Sequence, residues 1–178
     1  MARTPTTRRI ILIGGTSHSG KTTVGRAMAE QLNAVLLSTD SLARHPGRPW
    51  KPAGEAVPAH VVDYYTHYDL NEQLDAVITH YQQLQQRIES HVHCALAEDT
   101  PLVVEGSALL PEHWAERRDP RLHVLWLLTA PTLLRTRIYI ESNYAHRNPA
   151  QQRLIDAFVQ RSIRFDGYLR TGLGRQRA

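Results

Sequence analysis

The stretch Gly15-Thr16-Ser17-His18-Ser19-Gly20-Lys21-Thr22 decides the fold. It matches the pattern G-x-x-x-x-G-K-[ST] at every position. A short apolar β-branched run, Arg9 to Ile13, precedes it and ends in Gly14-Gly15. After it, Val24, Ala27, Met28 and Leu32 recur at helical spacing from Thr22 to Leu32. Strand, glycine-rich turn and helix form the setting in which the pattern has a physical meaning. The glycines allow backbone angles that turn amide N–H groups toward one point. The helix adds its positive N-terminal end. A lysine at position 21 then reaches the β- and γ-phosphates of a nucleoside triphosphate, and the Thr22 hydroxyl serves Mg²⁺. Gly15, Ser17, His18, Ser19, Gly20, Lys21, Thr22 and Thr23 are the expected nucleotide-contacting residues, with the His18 side chain expected to face solvent at the loop tip.

Outward from the loop, Ala34 to Leu37, Leu102 to Val104 and Leu122 to Leu128 read as three more strands. Continuous apolar strands separated by helices indicate a parallel sheet covered on both faces, an α/β fold. The link between the second and third strands is about sixty residues long, twice the ~30 that one βαβ unit needs. Its first part, Ser41 to Pro58, is rich in Pro and Gly and reads as irregular. Asp69 and Glu72 then form a capping box, and apolar residues from Leu70 through Leu96 predict one long amphipathic helix to Glu98. Residues 41–98 are therefore expected to form a helical insert. Pro131 starts another helix. Asn148 and Pro149, with Gln151 as the boxed partner, start the last one, and Gly172 reads as its stop. No strand pattern follows it. The whole of 1–178 reads as a single domain.

The 178 residues carry 21 Lys and Arg against 17 Asp and Glu, a formal charge of +4. Only Lys21 and Lys51 are lysines, so the basic residues are almost all arginine. Arginine forks match phosphate and carboxylate. The arginines form no basic stripe and no alternation with aromatics, which argues against a nucleic-acid partner. No apolar run approaches the ~18 residues of a membrane span. The single cysteine, Cys94, excludes an internal disulfide framework and a cysteine zinc cluster. The cytoplasm is the expected compartment.

The Gly14 to Thr23 stretch, the strand end Ser38-Thr39-Asp40, the strand end Val104-Glu105-Gly106 and the arginine-bearing helix from Pro131 resemble the P-loop small-molecule kinases. The nearest groups are nucleoside monophosphate kinase-like, uridine kinase-like and 2-phosphoglycerate kinase-like proteins. The resemblance covers about Arg9 to Leu169. It implies a parallel sheet of four to five strands in the order 2-3-1-4-5, an acceptor-binding insert and an arginine-bearing lid, residues 135–150. The usual fifth strand has no counterpart in the sequence.

The resemblance also implies roles. Asp40, at a strand end where open α/β folds bind ligands, would contact the acceptor hydroxyl or take its proton. Arg44 and Arg48 would hold an anionic acceptor. Glu105 stands where the strict pattern has aspartate, and would support Mg²⁺ with Thr22 or orient the acceptor. Arg135, Arg137 and Arg147 would close over the phosphates, with Arg137 best aligned to the family's helix arginine. Lys21, Asp40, Glu105 and Arg137 are thus the expected catalytic residues. The Ser-Thr-Asp end lacks the glycine of the adenylate-type Ser-Thr-Gly-Asp pattern.

The expected activity is ATP- and Mg²⁺-dependent transfer of the γ-phosphate to a hydroxyl or phosphate of a small anionic metabolite or nucleotide. Two alternatives compete with it: a degenerate P-loop nucleotide-binding module without kinase activity, and a nucleic-acid-associated ATPase.

Overall fold

The computed structural model describes residues 9–43, 47–52 and 54–175. β1 (Ile10–Gly15) leads into α1 (Lys21–Leu32), and β2 (Val35–Ser38) ends in a 3₁₀ turn, Thr39–Ser41. The insert carries α2 (Ala59–His67) and α3 (Leu70–Ala97). β3 (Leu102–Gly106), the short α4 (Pro111–Trp114) and β4 (Leu122–Leu127) follow. α5 (Pro131–Ser142) and α6 (Pro149–Arg175), separated by a 3₁₀ turn at Tyr144–His146, complete the order.

The sheet is wholly parallel, in the order β2-β3-β1-β4. That is the expected order as far as four strands go, and the described residues hold no fifth strand. Side chains alternate across a strand, and this alternation sorts the core. Ile10, Leu12, Leu102 and Val104 face Leu84, Ile88 and Val92 of α3. Ile11, Ile13 and Val103 face the other way, toward Val24, Met28 and Ala29 of α1. β2 lies at the sheet edge, and its Val35 and Leu36 remain exposed.

Two capping boxes form as the sequence predicts. Asp69 Oδ1 accepts from the amides of Asn71 and Glu72, while Glu72 accepts from the Asp69 amide. Asn148 Oδ1 accepts from the Gln151 amide. One helix comes in addition to those expected, and one expectation needs correction. Between Pro58 and Asp69 the insert forms α2, whose Val61, Tyr64 and Tyr65 are buried at the i, i+3, i+4 spacing of an inward face. Gly172 does not end α6, which runs on to Arg175. A Cβ at Gly172 would come within 3.2 Å of Pro111 Cβ, so this glycine lets α6 approach α4 closely.

A separate aromatic cluster joins the insert to the last helices. Trp50, Val61, Tyr64 and Tyr65 pack on Ile138 of α5 and on Ile155, Phe158 and Val159 of α6. Trp50 meets Phe158 edge-on, with ring centroids 4.9 Å apart. These aromatics therefore fix the insert over the carboxyl end of the sheet, where β1 delivers the glycine-rich loop.

Candidate active site

The loop between β1 and α1 is built for close approach. Gly15 has φ +146, and a Cβ there would lie 2.7 Å from Leu127 O and 2.8 Å from Ser19 Oγ. Gly20 is left-handed at φ 103 and precedes α1 without any side-chain cap, so the first helical amides keep their donors for a ligand. Lys21 Nζ is nearly buried and donates to Thr16 O at 2.7 Å. Burial pushes its pKa down to about 8, although Glu105 and Asp40 pull it upward. Ser19 Oγ is buried with no hydrogen-bond partner among the described residues. An unsatisfied hydroxyl, uncapped amides and a buried lysine around one loop fit a polyphosphate.

Thr22 Oγ1 donates to Glu105 Oε2 at 3.2 Å, which brings together the two residues expected to serve the metal. Gly25 makes room for this approach, since a Cβ there would lie 3.3 Å from Glu105 Cβ. Among the described residues no three His, Cys, Asp or Glu side chains cluster as a metal cage. One hydroxyl and one carboxylate suit Mg²⁺, which binds few protein groups alongside substrate phosphates and water.

Asp40 sits beyond the end of β2, where Ser38 is in register with Glu105. Its side chain is exposed, and its field reaches Lys21. Helix capping does not occupy it: the 3₁₀ turn has no side-chain cap. Its position depends on Gly106, because a Cβ there would fall 1.7 Å from Thr39 Oγ1 and 2.7 Å from Thr39 Cβ. Thr39 is buried and cannot yield freely. Gly106→Ala is expected to cost about 2 kcal/mol and to move the Asp40 turn. Denaturant unfolding, together with acceptor turnover, checks both effects.

His18 departs from expectation. Its side chain is only 5% exposed, with Nε2 2.8 Å from Glu141 Oε2 and its ring beside those of Trp50 and Phe158. The loop tip folds inward because the insert and α6 offer an aromatic pocket there. Burial, helped by Arg48 and Lys21, lowers the His18 pKa to about 4 despite Glu141, so the ring is neutral at physiological pH. Arg48 pairs with the same carboxylate, Glu141, and lies 5.8 Å from the Trp50 ring centroid. Glu141 thus joins the phosphate loop, the insert and α5. The sequence offered no sign of it, because both its partners lie about a hundred positions away.

The three lid arginines separate in space. Arg137 Nη1 donates to His18 O at 2.9 Å and lies over Gly20, against the loop. Arg147 donates to Ser142 O at 2.7 Å and to Lys51 O at 2.9 Å, holding the insert to the end of α5. Arg135 is exposed on α5. Arg44 lies outside the described residues. Thr23 is exposed on the first turn of α1, and Ser17 Oγ pairs with His18 Nδ1 at 3.0 Å. Beside Ser19 and Arg137 opens a cleft of about 480 Å³, with Leu128 and Leu133 on its apolar side.

No family model matches the chain. Over 106 residues, 56% of its length, it is 35% identical to a tRNA dimethylallyltransferase from Thermosynechococcus vestitus. The match spans 32% of that protein. Among solved structures the chain resembles a shikimate kinase from Acinetobacter baumannii in complex with shikimate, at TM-score 0.41 and 21% identity over 89% of this chain and 80% of that one. It also resembles a gluconokinase from Sinorhizobium meliloti, at TM-score 0.43 and 20% identity over 96% and 94%. The chain's own strand order and phosphate loop give it a P-loop α/β fold.

Proposed function

We propose that the protein is an ATP- and Mg²⁺-dependent phosphotransferase whose acceptor is a small anionic metabolite or nucleotide. The observation that carries this reading is the meeting of Lys21, the Thr22–Glu105 pair and Asp40 at the carboxyl end of the sheet. Bound nucleotide and Mg²⁺ would supply the phosphoryl group and neutralise its charge. Lys21 and the loop amides hold the phosphates, with Ser19 Oγ as a further donor. Thr22 and Glu105 hold the metal. Asp40 orients the acceptor hydroxyl and takes its proton. Arg137, already on the loop, offsets charge on the transferred group. The cleft beside Leu128 and Leu133 would receive the nucleotide's base. Residues 1–178 form one domain in this reading, with 41–98 as acceptor-binding insert and 135–150 as lid, and the reaction runs in the cytoplasm.

Calorimetry with ATP tests the binding half, and it carries a pH signature. A lysine must be charged to hold phosphate, and Lys21, with its pKa pushed down to about 8, is about half deprotonated at that pH in the free protein. Phosphate binding favours the charged form, so binding takes up a proton around and above that pH. Affinity is expected to be flat below about pH 7 and to fall up to about tenfold per unit above about pH 8. A flat profile to pH 9.5 would remove Lys21 from the phosphate site.

The dimethylallyltransferase similarity favours a second reading, in which the loop holds the diphosphate of a prenyl donor. Binding of dimethylallyl diphosphate in preference to ATP would select it.

A further inference from the structure

Lys21 is one buried cation, and it has Asp40 and Glu105 to face. Arg161 of α6 is another, only 6% exposed, and no carboxylate lies within ion-pair distance of it among the described residues. Its Nη1 is buried with no hydrogen-bond partner among them. The guanidinium lies 4.8 Å from the ring centroid of Phe158 and 5.6 Å from that of Tyr65. Tyr64, Tyr65 and Tyr81 surround it, and burial raises the pKa of each. Their hydroxyls are neutral at physiological pH: those of Tyr64 and Tyr65 hydrogen-bond the guanidinium but bring no compensating charge. An arginine does not escape the cost of burial by losing its proton, and cation–π contacts offset only part of that cost.

The location gives this buried charge a use. The next residue, Ser162, accepts from Thr16 Oγ1 of the phosphate loop at 3.1 Å through its carbonyl. Tyr81 hydrogen-bonds Ser107 and feels the charges of both Arg161 and Asp40. Ser107 follows Gly106 at the end of β3. The guanidinium hydrogen-bonds the tyrosines beside it, while its Nη1 keeps an unused donor in the buried region next to the phosphate loop.

We propose that Arg161, with the hydroxyls of Tyr81 and Ser107, binds the oxyanion of the acceptor, a carboxylate or phosphate monoester on a small hydroxylated metabolite. This rests on the phosphotransfer reading for the word acceptor, but the anion site stands on its own geometry. A guanidinium with an unused Nη1 donor, beside tyrosine hydroxyls, suits an oxyanion. The anion would supply the missing negative charge and leave the metabolite's hydroxyl toward Asp40.

The test uses a Lys21→Ala background, in which the phosphate loop competes less for anions. Glycerate and inorganic phosphate are titrated calorimetrically into that protein and into Lys21→Ala/Arg161→Met. At least a tenfold loss of affinity for the anion that binds is expected, with glycerate and phosphate separating carboxylate from phosphate recognition. Equal affinity in both proteins, or no binding of either probe to Lys21→Ala, overturns the proposal. Thermal unfolding in anion-free buffer separates a structural role. Arg161→Met removes an uncompensated buried charge and is expected to hold or raise the midpoint. A lower midpoint with unchanged anion affinity makes Arg161 a packing residue and overturns the proposal. Should the methionine variant fail to fold, Arg161→Lys keeps the charge without the fork and is expected to lose most of the affinity; unaltered affinity overturns the proposal. Phosphotransfer is read separately in otherwise wild-type protein. Anion binding lost with Arg161, with no transfer from ATP to any acceptor, sinks the kinase reading alone. Transfer that proceeds with acceptor KM unchanged in Arg161→Met sinks the anion site alone.

Discussion

Lys21→Ala is expected to lower phosphate transfer by at least 10²–10³-fold while the protein remains folded. The side chain is buried beneath the loop and, among the described residues, donates to Thr16 O. Its loss leaves the sheet, the α1 core and the aromatic cluster untouched, since none of the apolar clusters includes it. It also removes a buried charge that is costly to hold without a phosphate nearby. The effect should therefore fall on nucleotide affinity and turnover together, with a thermal midpoint close to wild type. Unchanged turnover in this variant would show that the loop is not the catalytic phosphate site.

Asp40→Asn is expected to leave ATP affinity within a few-fold of wild type and to reduce turnover by about 10²–10⁴-fold. Asparagine keeps the size and polarity of the side chain but cannot take a proton. The fold should be indifferent, because Asp40 is exposed and caps no helix. The signature is a loss in kcat with little change in nucleotide affinity. A variant that loses stability but keeps kcat would make Asp40 a structural residue of the turn.

The places of these two residues in the fold could be read from sequence because their environment is local. Lys21 lies within one strand-loop-helix motif, and Asp40 ends a strand whose neighbours are set by the parallel order. The capping boxes at Asp69 and Asn148 were legible for the same reason: both partners lie three residues apart. What the sequence withheld depends on distant contacts. His18 looks like an exposed loop tip until Trp50 and Phe158 enclose it. Glu141 looks like a polar residue at a helix end until His18 and Arg48 meet on it. Arg161 looks like one of many helix arginines, three positions before Arg164. Only the packing of α6 against the insert shows that one is buried and the other exposed. Gly172 carried a local stop signal that tertiary contact overrode, since α6 needs a small residue against Pro111. α2 was hidden because it is only 9 residues long and its inward face is largely tyrosine, too short and too polar at its tips for a clear apolar period.

In the proposed reaction the loop, Asp40 and Glu105 together transfer a phosphoryl group. ³¹P NMR of ATP and Mg²⁺ with the protein and a panel of hydroxy acids, phosphorylated sugars, nucleosides and nucleotides follows that transfer itself. One anionic member is expected to gain a phosphate as ADP appears, and the reaction is expected to stop without Mg²⁺ and in Lys21→Ala. ATP that binds at the loop but passes its phosphate to no member of the panel would contradict the phosphotransfer reading.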